Sequence, residues 1–476
     1  MSDHTTASKD KIPFLQKAAF GSGHLVNNLM PGALGVFMFF LLTAFGMDPW
    51  LAGLLGGLPR LVDALSDPIM GYLSDNTNTR WGRRRPYIFI GAILTGAMFI
   101  LLWQMDENNP QEYNFWYFLT ISIIFILANT TFSTPLIGLG YEMTSDYNER
   151  TRLMGMANIV GQIAWMVVPW FWVLIADQDL FATQAEGVRT LSIIVGVIAM
   201  IFGVLPAIFC QGIDSSKIEN RQEISFKNLL VIMVDLFKGM FEVFRHKPFL
   251  RLCGATFLVF NGFQIVASFS FFIILFYLFN GDYGAAGTWP AWFSTILAMI
   301  TAFFVIPLVS WMAARWGKKN AFVVSTFISI IGYVLKWWGF NPDNPFLMFL
   351  PLPLMAFGLG CLFTLMMSMT ADICDLDELE NGMPRKEGTF GAIYWWTVKL
   401  GQALALIVGG AVLSWVGFDG NAATQSAETI TQLRIADIVI PAGTAFLAIL
   451  VMWNYDLSEE KAREIKEELE SRRGYL

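Results

Sequence analysis

Arg60, Asp63 and Asp67 stand three and four residues apart in an otherwise apolar stretch from about Trp50 to Leu73. On a helix, residues at these spacings share one face. Burying one carboxylate at mid-bilayer costs ~2.5–3.5 kcal/mol even on insertion scales. Two carboxylates against a single guanidinium leave a net negative charge, so a cation or a proton must complete the cluster. Pro59 and Pro68 cannot donate to the carbonyls of Leu55 and Ala64, which leaves backbone oxygens free nearby. Ser66, and Thr130 if the fourth helix packs alongside, add neutral oxygens. Two carboxylates among hydroxyls and carbonyls form a site for a small hard cation, Na⁺ or H⁺. The competing reading is a static pair in which one aspartate does no more than neutralise Arg60.

Lys399 is the second expensive residue. It sits about eleven residues into the segment that starts at Gly388, too deep to snorkel easily, with Trp395 and Trp396 one turn before it. A cavity-facing ammonium flanked by aromatic rings fits that position. Further polar groups interrupt other apolar runs. Asn27 and Asn28 follow His24 in the first helix, where a lone histidine reads as a packing residue rather than a metal ligand. The fourth helix carries Asn129–Thr130–Thr131–Phe132–Ser133–Thr134–Pro135, and its hydroxyls either bond their own backbone or line a cavity. Asn158, Gln162 and Trp165 recur at helical spacing, a face able to hydrogen-bond and stack a sugar. Asn261 and Gln264 add to this polar interior.

The elements that position these groups must cross a bilayer. The chain has 476 residues, 55% hydrophobic and 14% charged, with 42 Phe and 17 Trp, and apolar runs long enough to span recur from end to end. This composition predicts an all-α polytopic membrane protein. Breaks at charged and Gly/Pro-rich stretches predict twelve transmembrane helices near 18–45, 50–74, 86–105, 114–142, 152–176, 188–210, 249–280, 289–314, 320–339, 346–373, 388–417 and 433–455. Alternate loops carry the basic residues: Arg80 and Arg83 to Arg85; Arg150 and Arg152; Lys217 to Lys247; Arg315, Lys318 and Lys319; Arg385 and Lys386. The other loops are nearly bare, with Arg189 and Arg434 as exceptions, and Lys336 sits ambiguously near the outer end of the ninth helix. By the positive-inside rule both termini are cytoplasmic, in a multi-pass protein of the cell (inner) membrane. The polar, lysine-bearing residues 1–17 read as a cytoplasmic tail and not a signal peptide.

The long connection 211–248 splits the helices into bundles at 18–210 and 249–455, leaving a tail at 456–476. Phe226 to Phe244 reads as an amphipathic helix on the membrane surface. The charged run Ser458 to Arg473 reads as a solvated helix. RWGRRRPY after the second helix is echoed by RWGKKNAF after the eighth, the mark of two pseudo-symmetric six-helix bundles, the major facilitator plan. Cys210, Cys253, Cys361 and Cys374 lie in or beside spans and are expected to be free thiols. His4, His24 and His246 form no metal spacing, and no nucleophile motif or phosphate loop is present. A membrane enzyme is therefore disfavoured. So is a sensor, which would need a soluble output domain.

Asp63-Ala-Leu-Ser-Asp67-Pro-Ile-Met-Gly71 with Arg80-Trp-Gly-Arg resembles the glycoside–pentoside–hexuronide:cation symporters, the melibiose permease family. Ala371-Asp-Ile-Cys-Asp375, then Arg385-Lys-Glu387-Gly and Lys399, is similar to that family's passage from helix ten into helix eleven. The resemblance implies that Asp63 and Asp67 bind the coupling cation (Na⁺, Li⁺ or H⁺). It also implies that Ser66 stands at the family's asparagine position, Thr130 at its helix-four threonine and Lys399 at its helix-eleven lysine. It implies a sugar or glycoside substrate, a coupling ion in place of any organic cofactor, no nucleic-acid partner and a monomer in the bilayer. The melibiose-binding aspartates of helices one and four are matched by Asn27 or Asn28 and by Ser133. The family's helix-four tryptophan is matched by Ile137 and its helix-five arginine by Asn158. These differences predict a glycoside or oligosaccharide other than melibiose. A uniporter or exporter without cation coupling is the alternative.

Overall fold

A computed structural model describes residues 11–144, 147–211, 231, 234, 238, 245–381, 387–457 and 459–473. The N-terminal unit contains α1 (Phe14–Thr43), α2 (Pro49–Asn76), α3 (Arg85–Leu102), α4 (Gln111–Glu142), α5 (Tyr147–Val167, continued by Trp170–Ala176) and α6 (Gln184–Phe209). The C-terminal unit contains α7 (Lys247–Leu278), α8 (Tyr283–Trp316), α9 (Lys318–Gly339), α10 (Pro345–Glu380), α11 (Glu387–Trp415) and α12 (Ala427–Trp453), followed by α13 (Glu459–Arg473). The division between the compact units falls after Met233.

Eleven of the helices among the described residues are long and apolar enough to cross a membrane. The twelfth, α2, is long enough but holds Arg60, Asp63 and Asp67 within two turns, and this charge lowers its apolarity. Its start is sharp for a local reason. Asp48 accepts hydrogen bonds from the amides of Trp50 and Leu51, and Pro49 occupies the first helical position. Pro59 and Pro68 lie inside the helix, as the sequence requires. In α5 the helix breaks at Val168–Pro169, where the missing proline N–H interrupts the ladder.

Packing repeats between the units. In the first, α3 lies against α4 and α6, α1 against α5 and α6, and α2 against α4. In the second, α9 lies against α10 and α12, α7 against α11 and α12, and α8 against α10. Each pairing recurs with the helix number raised by six. The loop echo is matched by an ion-pair echo: Arg83 and Arg84 meet Glu142 of α4 at 2.5 and 2.6 Å, and Lys318 meets Asp372 of α10 at 2.6 Å. Departures from symmetry lie in the C-terminal unit, where α7, α8 and α10 each contain a π-helical turn (Ile273–Leu278, Thr301–Val305 and Leu362–Met366).

Two sequence expectations change. α10 runs several residues beyond 373, through Met367–Asn381, because its polar last turns continue the helix past the apolar run. α13 is helical but not merely solvated: Ile465 and Leu469, one turn apart, are buried in the core of the C-terminal unit, where α13 packs on α10. Burying that stripe requires a neighbour, which a reading of the charged majority alone does not supply. The amphipathic-helix expectation for 226–244 lies outside the described residues, apart from helical positions 231, 234 and 238. All four cysteines are free and buried.

Candidate functional site

The site on α2 is completed by α4. Thr130 donates to Asp63 Oδ1 at 3.1 Å, and Thr134 donates to Asp67 Oδ1 at 3.2 Å. Both pairs are 67 residues apart, the constant offset that two helices running side by side in the same direction produce. Asp63 and Asp67 are one helical turn apart, as are Thr130 and Thr134, so the rungs stack. Ser66 Oγ lies 3.0 Å from Thr130 Oγ1 and 3.1 Å from the Asp63 carbonyl. Ser66 donates its one proton to the Asp63 carbonyl and Thr130 donates its own to Asp63 Oδ1, so the two hydroxyl oxygens sit side by side in the cluster. Asp63, Ser66 and Thr130 are buried, and Asp67 is half-buried.

Arg60 approaches the other oxygen of Asp63, with Nη1 3.9 Å from Oδ2, beyond ordinary hydrogen-bond length. The rest of the set is two carboxylates and three hydroxyls, all hard oxygen donors. Hydroxyls that now donate to carboxylates can rotate to offer lone pairs, and oxygen donors of this kind suit a small hard cation.

Thr134 was not singled out from sequence, although a signal existed. It follows Thr130 by four residues as Asp67 follows Asp63, so any parallel α2–α4 register that pairs the first residues pairs the second. Gly91 of α3 holds α4 close. A Cβ there would fall 2.6 Å from the Phe132 backbone nitrogen, between the two threonines.

The remaining candidates fall into separate groups. On α1 and α5, the Trp165 indole N–H donates to Asn28 Oδ1 at 3.2 Å, and Gln162 donates to Asn158 Oδ1 at 3.5 Å. Asn158, Gln162 and Trp165 are exposed, while Asn27 and Asn28 are half-buried. Gly161 makes room here, since a Cβ would meet Asn28 Nδ2 at 2.5 Å. Lys17 meets Glu149 at 2.5 Å and pins the starts of the same two helices. His24 packs edge-on against Phe20, with ring centroids 4.7 Å apart. Ser133 is half-buried on α4.

In the C-terminal unit Asn261 is buried and donates to the Gly401 carbonyl at 3.2 Å, so its amide ties α7 to α11. Gln264 is half-buried one turn on. Trp396 packs against the apolar core, whereas Trp395 is exposed and Lys399 half-buried. The structure also reveals an ion pair that sequence reading did not connect, between Lys336 of α9 and Asp437 of α12, both buried.

Twelve long helices among the described residues, packed alike in two units and carrying polar side chains inside apolar runs, have the plan of a transporter of the major facilitator class. Residues 19–459 match the family described as MFS/sugar transport protein, and the chain belongs to that family. It is 26% identical over 465 residues to the glucuronide carrier protein homolog of Escherichia coli (strain K12), covering 95% of each chain. It is 25% identical to the isoprimeverose transporter of Lactiplantibacillus pentosus, covering 95% of this chain and 91% of that one. In fold it is similar to the nucleoside transporter NupG, with a TM-score of 0.68, 15% identity, and coverage of 93% of this chain and 100% of that one.

Proposed function

We propose that this protein is a symporter that carries a sugar or glycoside together with a small cation held by Asp63, Asp67, Ser66 and Thr130, with Thr134 as a further ligand. The observation that carries the reading is the two-rung ladder of Asp63–Thr130 and Asp67–Thr134 across α2 and α4. It sets two carboxylates, one buried and one half-buried, among hydroxyl oxygens, a donor set of the kind that takes up Na⁺ or H⁺. Arg60 serves as a charge partner of Asp63.

The sugar is assigned to the polar face of α1 and α5. Asn28, Asn158 and Gln162 offer paired amide donors and acceptors, and the Trp165 ring offers a flat apolar surface for a pyranose. Asn27 and Ser133 extend the set. The glucuronide and isoprimeverose named for the relatives support a glycoside substrate. With basic loops inside, both termini are cytoplasmic, and the sugar enters across the cell membrane.

Coupling between two ligands is reciprocal: cation must tighten sugar binding by the factor by which sugar tightens cation binding. A panel of monosaccharides, glucuronides and disaccharides, assayed for uptake into proteoliposomes with and without a Na⁺ gradient at two pH values, tests this. Gradient-driven accumulation of at least one sugar is expected. Uptake that only equilibrates, whatever the gradient, would establish a uniporter.

Thr134 provides a narrower test. Thr134→Val removes a hydrogen bond to a charged group, worth about 1.5–3 kcal/mol. Cation affinity should drop by roughly ten- to a hundredfold, and Thr134→Ser should restore most of it. Equal affinities for Thr134→Val and wild type, measured by cation-induced tryptophan fluorescence, would remove Thr134 from the site.

A further inference from the structure

Each unit carries the same small device at the end opposite its basic loops. In the N-terminal unit, Arg189 of α6 donates to the Met105 carbonyl just beyond α3 at 2.8 Å. Three residues later, Ser192 receives a hydrogen bond from Gln104 at 3.3 Å. In the C-terminal unit, Arg434 of α12 donates to the Trp337 carbonyl of α9 at 2.7 Å. Three residues later, Asp437 meets Lys336. The arginine is common to both units. The pair beside it is neutral in one and ionic in the other.

This asymmetry bears on purpose. In the N-terminal unit the position of the buried ion pair is taken by a neutral hydrogen bond, Ser192–Gln104, while Arg189 beside it pairs with Glu107. Lys336 and Asp437 are 2% and 1% exposed. A buried ion pair is often no more stabilising than a neutral replacement. Ionisable groups inside a membrane are functional by default. The two carboxylate oxygens also differ. Oδ2 meets Lys336, while Oδ1 is buried with no hydrogen-bond partner.

We propose that Lys336 and Asp437 form a proton-binding site in the C-terminal unit, separate from the cation site on α2 and α4. A proton from water bonds to Asp437 Oδ1 and the carboxylate becomes a neutral acid. The Lys336 ammonium keeps its contact with Oδ2 and its place over the Phe340 ring, 5.2 Å from the centroid. The other groups facing the pair are few. Tyr333 lies one turn before Lys336 on α9, with Cys361 of α10 behind it. Arg434 lies one turn before Asp437, stacked 3.9 Å from the Tyr277 ring and 4.3 Å from the Trp337 ring. Arg434 is half-buried.

The test uses the full chain in detergent micelles: wild type, Asp437→Asn, and the double variant Lys336→Gln/Asp437→Asn, which copies the neutral pair of the other unit. Infrared difference spectra between neutral and acidic pH should show a protonated-carboxyl band in wild type that both variants lack. Across that titration, the stability of wild type relative to the double variant should change by up to about tenfold in equilibrium constant per pH unit. If Asp437→Asn does not fold, the double variant carries the comparison. Identical carboxyl bands, or parallel stability profiles, would make the pair a permanent bolt and overturn the proposal. A double variant that cannot fold would also overturn it, because the charges would then be required by the fold.

Discussion

Asp63→Asn should abolish accumulation of sugar against its gradient while leaving downhill exchange intact. Asparagine keeps the size of the side chain and an oxygen for the Thr130 hydroxyl, 3.1 Å from Asp63 Oδ1. It removes one of the two negative charges proposed to hold the cation, and it removes the charge that faces Arg60 at 3.9 Å. Breaking a buried charge pairing by deleting one partner costs about 3–5 kcal/mol, so cation affinity should fall by roughly a hundred- to several-thousandfold. The measurement is sugar uptake into proteoliposomes under an imposed Na⁺ or proton gradient, set beside counterflow with no gradient. Normal accumulation by Asp63→Asn would reduce the aspartates to structural partners of Arg60. A variant that neither accumulates nor exchanges, yet elutes as wild type does, would mean that Asp63 also organises the sugar site.

The second large effect comes from a residue with no polar atom in its side chain. At Gly91→Val the new Cβ would fall 2.6 Å from the backbone nitrogen of Phe132 and 2.8 Å from its Cα. Backbone cannot swing aside as a side-chain tip can, so α4 must move away from α3. Overpacking of this kind costs about 1–3 kcal/mol of stability. The displaced segment lies between Thr130 and Thr134, so both hydroxyls shift relative to Asp63 and Asp67, and cation affinity should fall at least about tenfold, the equivalent of 1.4 kcal/mol. Gly35→Ala on α1 is the control, since a Cβ there meets nothing within 4 Å. Melting temperature with and without saturating Na⁺ separates the two effects. A protein that loses stability but keeps its full cation-induced shift would show that the α2–α4 register tolerates the displacement.

Much of this site was legible before any fold was known. Asp63 and Asp67 announced themselves because the cost of a carboxylate in an apolar run depends only on local surroundings. Ser66 was found by its spacing from the same carboxylates. Thr130 required a conjecture about which helix lies alongside, and α4 does. Thr134 was in view as part of a polar stretch, but a threonine beside a proline has a local explanation in its own backbone. Only its contact with Asp67 at 3.2 Å separates the two roles. Asn261 shows the opposite case: its amide is used on the Gly401 carbonyl, a partner on another helix that spacing along α7 cannot reveal.

By itself, then, the sequence determined what is local: apolar runs of spanning length, the charge that interrupts one of them, the proline breaks, and the RWG echo between halves. These follow from transfer free energy and backbone chemistry, which act over a few residues. The tertiary structure decided what depends on partners. It set α4 against α2 in parallel register so that two aspartates meet two threonines, closed that contact through Gly91, and docked Ile465 and Leu469 of a highly charged helix onto α10. It also turned an ambiguous lysine near a helix end into one half of a buried ion pair with Asp437. Such pairings arise where helices distant in sequence pack together. The free energy of a buried charge depends on the neighbour it meets there, and no window along the chain contains that neighbour.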